Sequence, residues 1–163
     1  MLSFHWMVRK LPRNRRLLEA KVHAAASALG MGEEDDASVV VCGDRRVRTL
    51  NRRYRGVNAT TDVLAFPCDE PRLLFGKRAG ELRLAPAQAP RLLGDVVVNL
   101  RQVERQARRH GNPTAGEFAA VTIHGLLHLL GLNHEKACDA SLMEACEQRL
   151  FRLLKLEVKG FGR

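Results

Sequence analysis

The sequence VTIHGLLHLLGLNHEKAC, residues 121–138, places three histidines at the spacing that one metal ion requires. His124 and His128 are four residues apart, and on an α-helix such side chains share a face with Cβ atoms roughly 5–6 Å apart. Gly131 permits the left-handed conformation that often ends a helix, which would bring His134 back to the same point. Three histidines with an open fourth position are typical of a catalytic zinc site.

Two other interpretations of this stretch remain open. If Cys138 were a fourth ligand, the site would be closed and structural. For a single histidine on an apolar helix, a hydrogen-bonded core residue would be the better explanation. The spacing H-x-x-x-H-x-x-G-x-x-H is shared with metzincin proteases, which favours a metal. Those peptidases need a glutamate directly after the first histidine, and Gly125 stands there, so peptide hydrolysis should be severely impaired.

The helix that carries the two histidines is predicted to be buried. Thr114 and Glu117 form a capping-box pattern, T-A-G-E, which predicts a helix from near Ala115 to Gly131. Apolar residues surround it almost completely, so we expect it in the core with both histidines facing a cleft.

The rest of the chain alternates between helical and strand patterns. Helices are predicted at residues 13–29, from a cap at Asp44 onward, at 100–111 and at 139–156. Strands are predicted at residues 38–42, 62–66 and 95–100, with an edge strand at the start of the chain. Residues 68–93 are predicted to be a long loop that holds at most a short strand at 81–84.

Length and composition indicate one domain over residues 1–163. The chain is 45% hydrophobic and 28% charged, which suits a single core. The sequence contains no run of about 18 apolar residues, and the opening MLSFHWMVRKLPRNRR places its charges after a short apolar start. We therefore expect a cytoplasmic protein without a membrane partner. Its oligomeric state does not follow from the sequence.

The charge balance favours a polyanionic partner. Twenty-seven Lys and Arg against eighteen Asp and Glu give a net charge of +9, and only 5% of residues are aromatic. Phosphate contacts, more than base stacking, should therefore carry affinity for a nucleic acid. A basic surface that serves only solubility is the alternative.

The four cysteines, at positions 42, 68, 138 and 146, contain no C-x-x-C pair. A reducing cytosol makes disulfides unfavourable, so we expect most of them to be packing residues.

Three blocks of sequence resemble one family. HGLLHLLGLNH, LNRRYRGVNATTDVLAFP at residues 50–67 and GDVVVNL at 94–100 are similar, in this order, to the YbeY family of bacterial endoribonucleases, also called rRNA maturation factors. The resemblance extends over about residues 17 to 154.

The resemblance implies an α+β fold with a mixed, roughly four-stranded sheet flanked by about five helices and a metal site on a central buried helix. It implies one Zn²⁺ held by His124, His128 and His134, with single-stranded RNA as substrate. Roles in ribosomal RNA 3′-end maturation and ribosome quality control at the small subunit would follow. The functional arginine of the family corresponds to Arg55, which we expect to be catalytic by holding the scissile phosphate, and we expect Arg52, Arg53 and Arg55 to bind the substrate.

Three features depart from the family pattern. Asn133 replaces the usual aspartate before the last histidine, Ala65 replaces a serine, and the connection from Pro67 to Gly94 is long. Asn133 leaves no acid or base at its position, so no general base is identified, although Glu135 is near in sequence.

The alternatives to an endoribonuclease are a non-catalytic zinc-containing RNA or ribosome assembly factor, a purely structural zinc domain and, last, a zinc metalloprotease-like hydrolase.

Overall fold

The computed structural model describes residues 1–69, 71, 73–76, 80–85, 89–132 and 137–161, with only the backbone described at 137–139. Its strands are β1 Leu2–Trp6, β2 Asp35–Cys42, β3 Val63–Pro67, β4 Leu73–Phe75, β5 Leu82–Leu84 and β6 Arg91–Asn99. Its helices are α1 Arg15–Ala28, α2 Asp44–Arg55, α3 Leu100–His110, α4 Thr114–Leu129 and α5 Ala137–Leu153. None of the described helices is long and apolar enough to cross a membrane.

The main sheet has the strand order β1-β2-β6-β3. β1, β2 and β6 are parallel, and β3 runs antiparallel to β6 at the edge. A separate antiparallel pair is formed by β4 and β5. The predicted α+β class, with a mixed four-stranded sheet and five helices, is confirmed by this arrangement.

The two faces of the sheet bury different cores, because successive strand residues point to opposite sides. Val96 and Val98 of β6 belong to the large core under α1, α4 and α5. Val97 belongs to a smaller cluster in which Val47 of α2 packs on the opposite face. The arginine-rich helix and the histidine-bearing helix therefore lie on opposite sides of the sheet.

α4 occupies the centre of the large core, as its apolar composition predicted. Thirteen of its sixteen residues are buried. The helix packs directly on the sheet at Gly125, where a Cβ atom would stand 2.5 Å from Val96 Cγ1 and 3.0 Å from Val63 Cγ2. Gly131, with φ of +85°, turns the chain out of the helix as predicted.

Both predicted helix caps are wrong. Gly43, not Asp44, is the N-cap of α2, and Asp44 is the first helical residue. Pro113 is the N-cap of α4, without a capping hydrogen bond from a side chain. The Glu117 carboxylate instead accepts a 2.7 Å hydrogen bond from Asn112 Nδ2, because this side chain points into the protein and is only 2% exposed.

The predicted long loop at residues 68–93 is more ordered than expected. The short strand predicted at 81–84 is confirmed as β5, but its partner β4 and the early start of β6 were not predicted. A buried ion pair holds that start: Arg91 Nη2 lies 2.5 Å from Asp35 Oδ1. The two residues are far apart in the sequence, so no local pattern could reveal the pair.

The described cysteines partly follow expectation. Cys42 and Cys146 are buried free thiols, whereas Cys68 is exposed rather than packed. Burial raises the pKa of Cys42, and burial together with the neighbouring Glu147 carboxylate raises the pKa of Cys146 to about 11. Both buried residues are therefore neutral thiols at physiological pH.

Candidate metal centre and its surroundings

The second half of α4 brings His124 and His128 together. Their Nε2 atoms are 3.1 Å apart, and their rings are nearly perpendicular at 86° with centroids 4.7 Å apart. Both side chains are half-buried. The predicted pairing of two imidazoles on one face of the helix is thus present.

The other nitrogen of each ring faces an oxygen. His124 Nδ1 lies 2.6 Å from Glu147 Oε1 of α5, and His128 Nδ1 lies 2.8 Å from the carbonyl oxygen of Leu132. A carbonyl oxygen and an ionised carboxylate only accept hydrogen bonds, so each Nδ1 donates. In the neutral rings, the lone pairs are consequently on the two Nε2 atoms.

This geometry fits a metal ion. Two lone pairs at 3.1 Å repel each other unless a cation lies between them. Ligand nitrogens at 2.0–2.1 Å from a tetrahedral zinc stand about 3.3 Å apart, close to the observed separation. Metal-binding histidines usually donate their second N–H to a carboxylate or a carbonyl, as both rings do here.

The third predicted ligand, His134, lies outside the described residues, as do Asn133 and Glu135. The side chain of Cys138, the alternative fourth ligand, is also not described. The described residues alone contain no group of three or more His, Cys, Asp or Glu side chains placed to hold a metal.

A cavity of about 410 Å³ adjoins His124. We call it the α3–α5 cavity, because α3, α4 and α5 form most of its wall, together with the start of β3 and the C-terminal segment at Gly160 and Phe161. Its polar lining consists of Asp62, Gln106, His110, Glu117, His124, Ser141, Glu144 and Glu147.

Sequence reasoning missed most of this lining. His110 borders the cavity, although it does not belong to the histidine motif of α4. Buried Gln106 on α3 donates a 2.9 Å hydrogen bond to Asp62 Oδ2 of the β3 entry. The sequence does contain one indication of this lining, because Gln106 and Glu117 are polar residues on helix faces that are otherwise apolar.

A buried asparagine fixes the segment that leads into β3. Asn99, fully buried at the end of β6, donates to Asp44 Oδ1, to Thr60 Oγ1 and to the carbonyl of Thr61 at 2.8–3.0 Å. Asp44 also receives two hydrogen bonds from Arg105, at 2.6 and 3.0 Å. Hydrogen bonding from the Arg105 guanidinium lowers the pKa of Asp44 to about 2. The entry to β3 is thereby tied to both α2 and α3.

The predicted substrate-binding arginines are all exposed on the last turn of α2. Arg52 borders a groove that it shares with Arg45, Arg48 and Arg105. The Arg53 guanidinium lies 5.4 Å from the centroid of the Tyr54 ring. Arg55 is the final residue of the helix, and among the described residues it makes no hydrogen bond to His124 or His128. The structure thus brings the two histidines together but does not join them to the arginines.

The mixed sheet and the buried helix with its paired imidazoles define a small α+β protein built around two facing histidines. The family described as "Endoribonuclease YbeY" matches residues 7–155. The chain therefore belongs to the YbeY family.

Individual relatives agree with this assignment. An "Endoribonuclease YbeY" of Anaeromyxobacter sp. is 40% identical over 144 residues, which cover 86% of this chain and 67% of that one. The protein of the same name from Moorella thermoacetica is 38% identical, covering 82% of this chain and 81% of its own. A solution structure from Thermotoga maritima shares the fold, with a TM-score of 0.53 and 22% identity, covering 100% of this chain and 99% of that one.

Proposed function

We propose that this chain is a zinc-dependent, single-strand-specific endoribonuclease of the cytoplasm, which acts on ribosomal RNA. The endoribonuclease class, a hydrolase acting on RNA, follows from membership in the YbeY family. The observation that carries the metal requirement is the pair of Nε2 atoms 3.1 Å apart, with both Nδ1 atoms engaged by oxygen acceptors.

The proposed cofactor is one zinc ion held by His124, His128 and His134, with the fourth position open. A zinc ion in such a site supplies a Lewis acid for a phosphate oxygen and lowers the pKa of a bound water from 15.7 towards about 7. Glu147 orients the His124 ring through its hydrogen bond to Nδ1, and the Leu132 carbonyl orients His128 in the same way.

The exposed arginines of α2 are the proposed contacts to the RNA backbone. Arg52, Arg53 and Arg55 lie together at the C-terminal end of that helix. Guanidinium groups form charge-assisted, often bidentate, hydrogen bonds to phosphate. We assign Arg55 to the scissile phosphate on the family resemblance alone, since α2 and the histidines lie on opposite sides of the sheet. Action at the 3′ end of ribosomal RNA, within or beside the small subunit, is proposed on the same basis.

The geometry disfavours a metallopeptidase. A peptidase of this ligand spacing has its catalytic glutamate at the position of Gly125. Here the space for a side chain is filled by Val96 and Val63 of the sheet. A glutamate at this position would clash with the core rather than reach a metal-bound water.

RNA cleavage by variant proteins tests the proposal. Zinc-loaded wild type should cut single-stranded RNA, and His124→Ala should lose this activity. Arg55→Glu should lower kcat/KM at least about tenfold, since it replaces a phosphate donor by an anion. Arg16→Glu is the matched control, because this exposed arginine on α1 undergoes the same charge reversal away from α2.

The possible outcomes separate the alternatives. Equal activity in wild type, His124→Ala and Arg55→Glu would identify a contaminating nuclease and refute the assignment. RNA binding that survives chelation without any cleavage would favour the non-catalytic assembly factor. Unfolding on metal removal, with no cleavage by the loaded protein, would favour a structural zinc domain.

A further inference from the structure

The α3–α5 cavity presents hydrogen-bond acceptors that the metal centre does not use. Gln106 is only 8% exposed, and its Oε1 has no hydrogen-bond partner in the described part of the chain. Its Nε2 is already committed to Asp62, so the carbonyl oxygen is the side of the amide left for a ligand. A buried acceptor without a donor costs on the order of 1–3 kcal/mol, which a bound N–H group would recover.

Carboxylates extend this acceptor surface. Glu117, which is 2% exposed, lines the cavity together with the exposed Glu144. Glu147 also lines it, but its Oε1 is already engaged by His124 Nδ1. No lysine or arginine is among the described lining residues. A phosphate group is therefore disfavoured inside the cavity, whereas a neutral group rich in N–H donors is favoured.

One wall of the cavity is aromatic. The Phe161 ring lies 5.3 Å from that of Phe151 and 6.3 Å from that of His124, measured between centroids. Two hydrogen bonds hold the segment before it: Asn112 Nδ2 donates to the Lys159 carbonyl at 2.9 Å, and Lys159 N–H donates to Asn112 Oδ1 at 2.8 Å. An aromatic ring fixed in this way provides a stacking surface for a planar base.

The size and position of the cavity suit one nucleobase. Its volume of about 410 Å³ lies within the range of small-molecule sites, roughly 300–1,000 Å³. Exposed Ser141 and Glu144 border it, so it can be entered from solvent. His124 lies in its wall, so a base bound there would be a neighbour of any phosphodiester at the metal centre.

We infer that the α3–α5 cavity binds one guanine base of the RNA strand, beside the phosphodiester held at the metal centre. The Watson–Crick edge of guanine carries two adjacent donor groups, N1–H and the 2-amino group. Adenine, cytosine and uracil each carry one donor group there. Gln106 Oε1 and the Glu144 carboxylate can each accept a hydrogen bond from one of these two donor groups, so the cavity favours guanine. His110 Nδ1, the other buried lining atom without a hydrogen-bond partner in the described part of the chain, is left for a further contact to the base. This inference rests on the proposed function for RNA as the ligand.

The test compares guanosine with inosine, which lacks only the 2-amino group. Short oligouridylate strands with one central guanosine or one inosine are measured for binding to zinc-loaded protein by fluorescence anisotropy. These strands are 2′-O-methylated to prevent attack by a 2′-hydroxyl, and unmodified strands are used for cleavage. The guanosine strand should bind about tenfold more tightly than the inosine strand, because its 2-amino group makes one additional hydrogen bond to a charged or buried acceptor.

Two variants place this preference in the cavity. Ser141→Trp introduces a large side chain at an exposed position of α5 that borders the cavity, and the ratio between the two strands should fall to about one. Gln148→Trp is the matched control, because Gln148 is equally exposed on α5 but does not border the cavity, and it should keep the wild-type ratio.

The outcomes distinguish this inference from the proposed function. Equal binding of the two strands by the wild type, or an unchanged ratio in Ser141→Trp, would overturn the guanine pocket even if RNA is cleaved. A guanosine preference that Ser141→Trp removes, without cleavage of any strand, would support the pocket and refute the nuclease assignment.

Discussion

The hydrogen bond between Glu147 and His124 should strengthen the binding of the proposed zinc ion. The carboxylate is 5% exposed and its Oε1 lies 2.6 Å from His124 Nδ1, the distance of a charge-assisted bond. Loss of such a partner typically weakens metal binding 10–100-fold, or about 1.4–2.7 kcal/mol. Glu147→Gln keeps an acceptor but removes the charge, so about tenfold weaker binding is expected. Glu147→Ala also removes the acceptor, and about 100-fold is expected.

Zinc affinity can be measured by competition with a chromophoric chelator, after circular dichroism has shown that each metal-free variant is folded. Glu144→Gln is the control, because it removes the same charge from the same helix and the same cavity wall. Glu144→Gln should change the zinc affinity less than about threefold, because an exposed charge that does not contact a ligand has only a small, screened effect. Affinity within twofold of wild type for Glu147→Gln would refute the reasoning, as would an equal loss in Glu144→Gln.

Two further predictions concern stability. Gly125→Ala should lower the free energy of unfolding by about 1–3 kcal/mol, because its Cβ would lie 2.5 Å from Val96. Gly116→Ala on the same helix is the control, because its Cβ would lie 3.4 Å from the nearest atoms, and it should leave the free energy of unfolding unchanged or raise it slightly. Equal losses of unfolding free energy for the two variants in urea titrations would contradict this account. Hydrogen bonding from Arg105 lowers the pKa of Asp44 in the folded protein to about 2, below its ordinary value of 3.8. The ion pair with Arg105 therefore stabilises the fold above about pH 4, and this stabilisation is lost as pH falls through about 2. Since Asp44 is 43% exposed, solvent screening limits the effect to about 1 kcal/mol. Asp44→Asn should therefore be less stable at pH 7, with the difference closing between about pH 4 and 2, and a constant difference in urea titrations would count against it.

The parts of the fold that follow from local sequence were predictable. α4 is long and strongly apolar, and Gly131 follows it, so its position and burial could be inferred. β2 and the end of β6 have uninterrupted β-branched runs, which are typical of buried parallel strands. The pairing of His124 with His128 required only helical periodicity. In such cases the periodicity of the helix or strand alone fixes the relative positions of the side chains.

The parts that depend on distant contacts were not predictable. Glu147 reaches His124 from another helix, and Gln106 meets Asp62 across 44 positions of the chain. The capping box failed for another reason: the Glu117 side chain is buried and accepts a hydrogen bond from Asn112, which lies before the helix. Packing there overrode a local capping preference worth about 1 kcal/mol.

Gly125 connects the packing of this protein with its chemistry. Because it has no side chain, α4 lies against β6 and β3 at that position, and the sheet occupies the space that a catalytic glutamate would need. A carboxylate that moves a proton at the metal centre cannot therefore come from the residue after the first histidine. α5 brings two carboxylates, Glu144 and Glu147, to the cavity beside His124. Of these two, Glu147 hydrogen-bonds the His124 ring, whereas Glu144 is exposed where it borders the cavity.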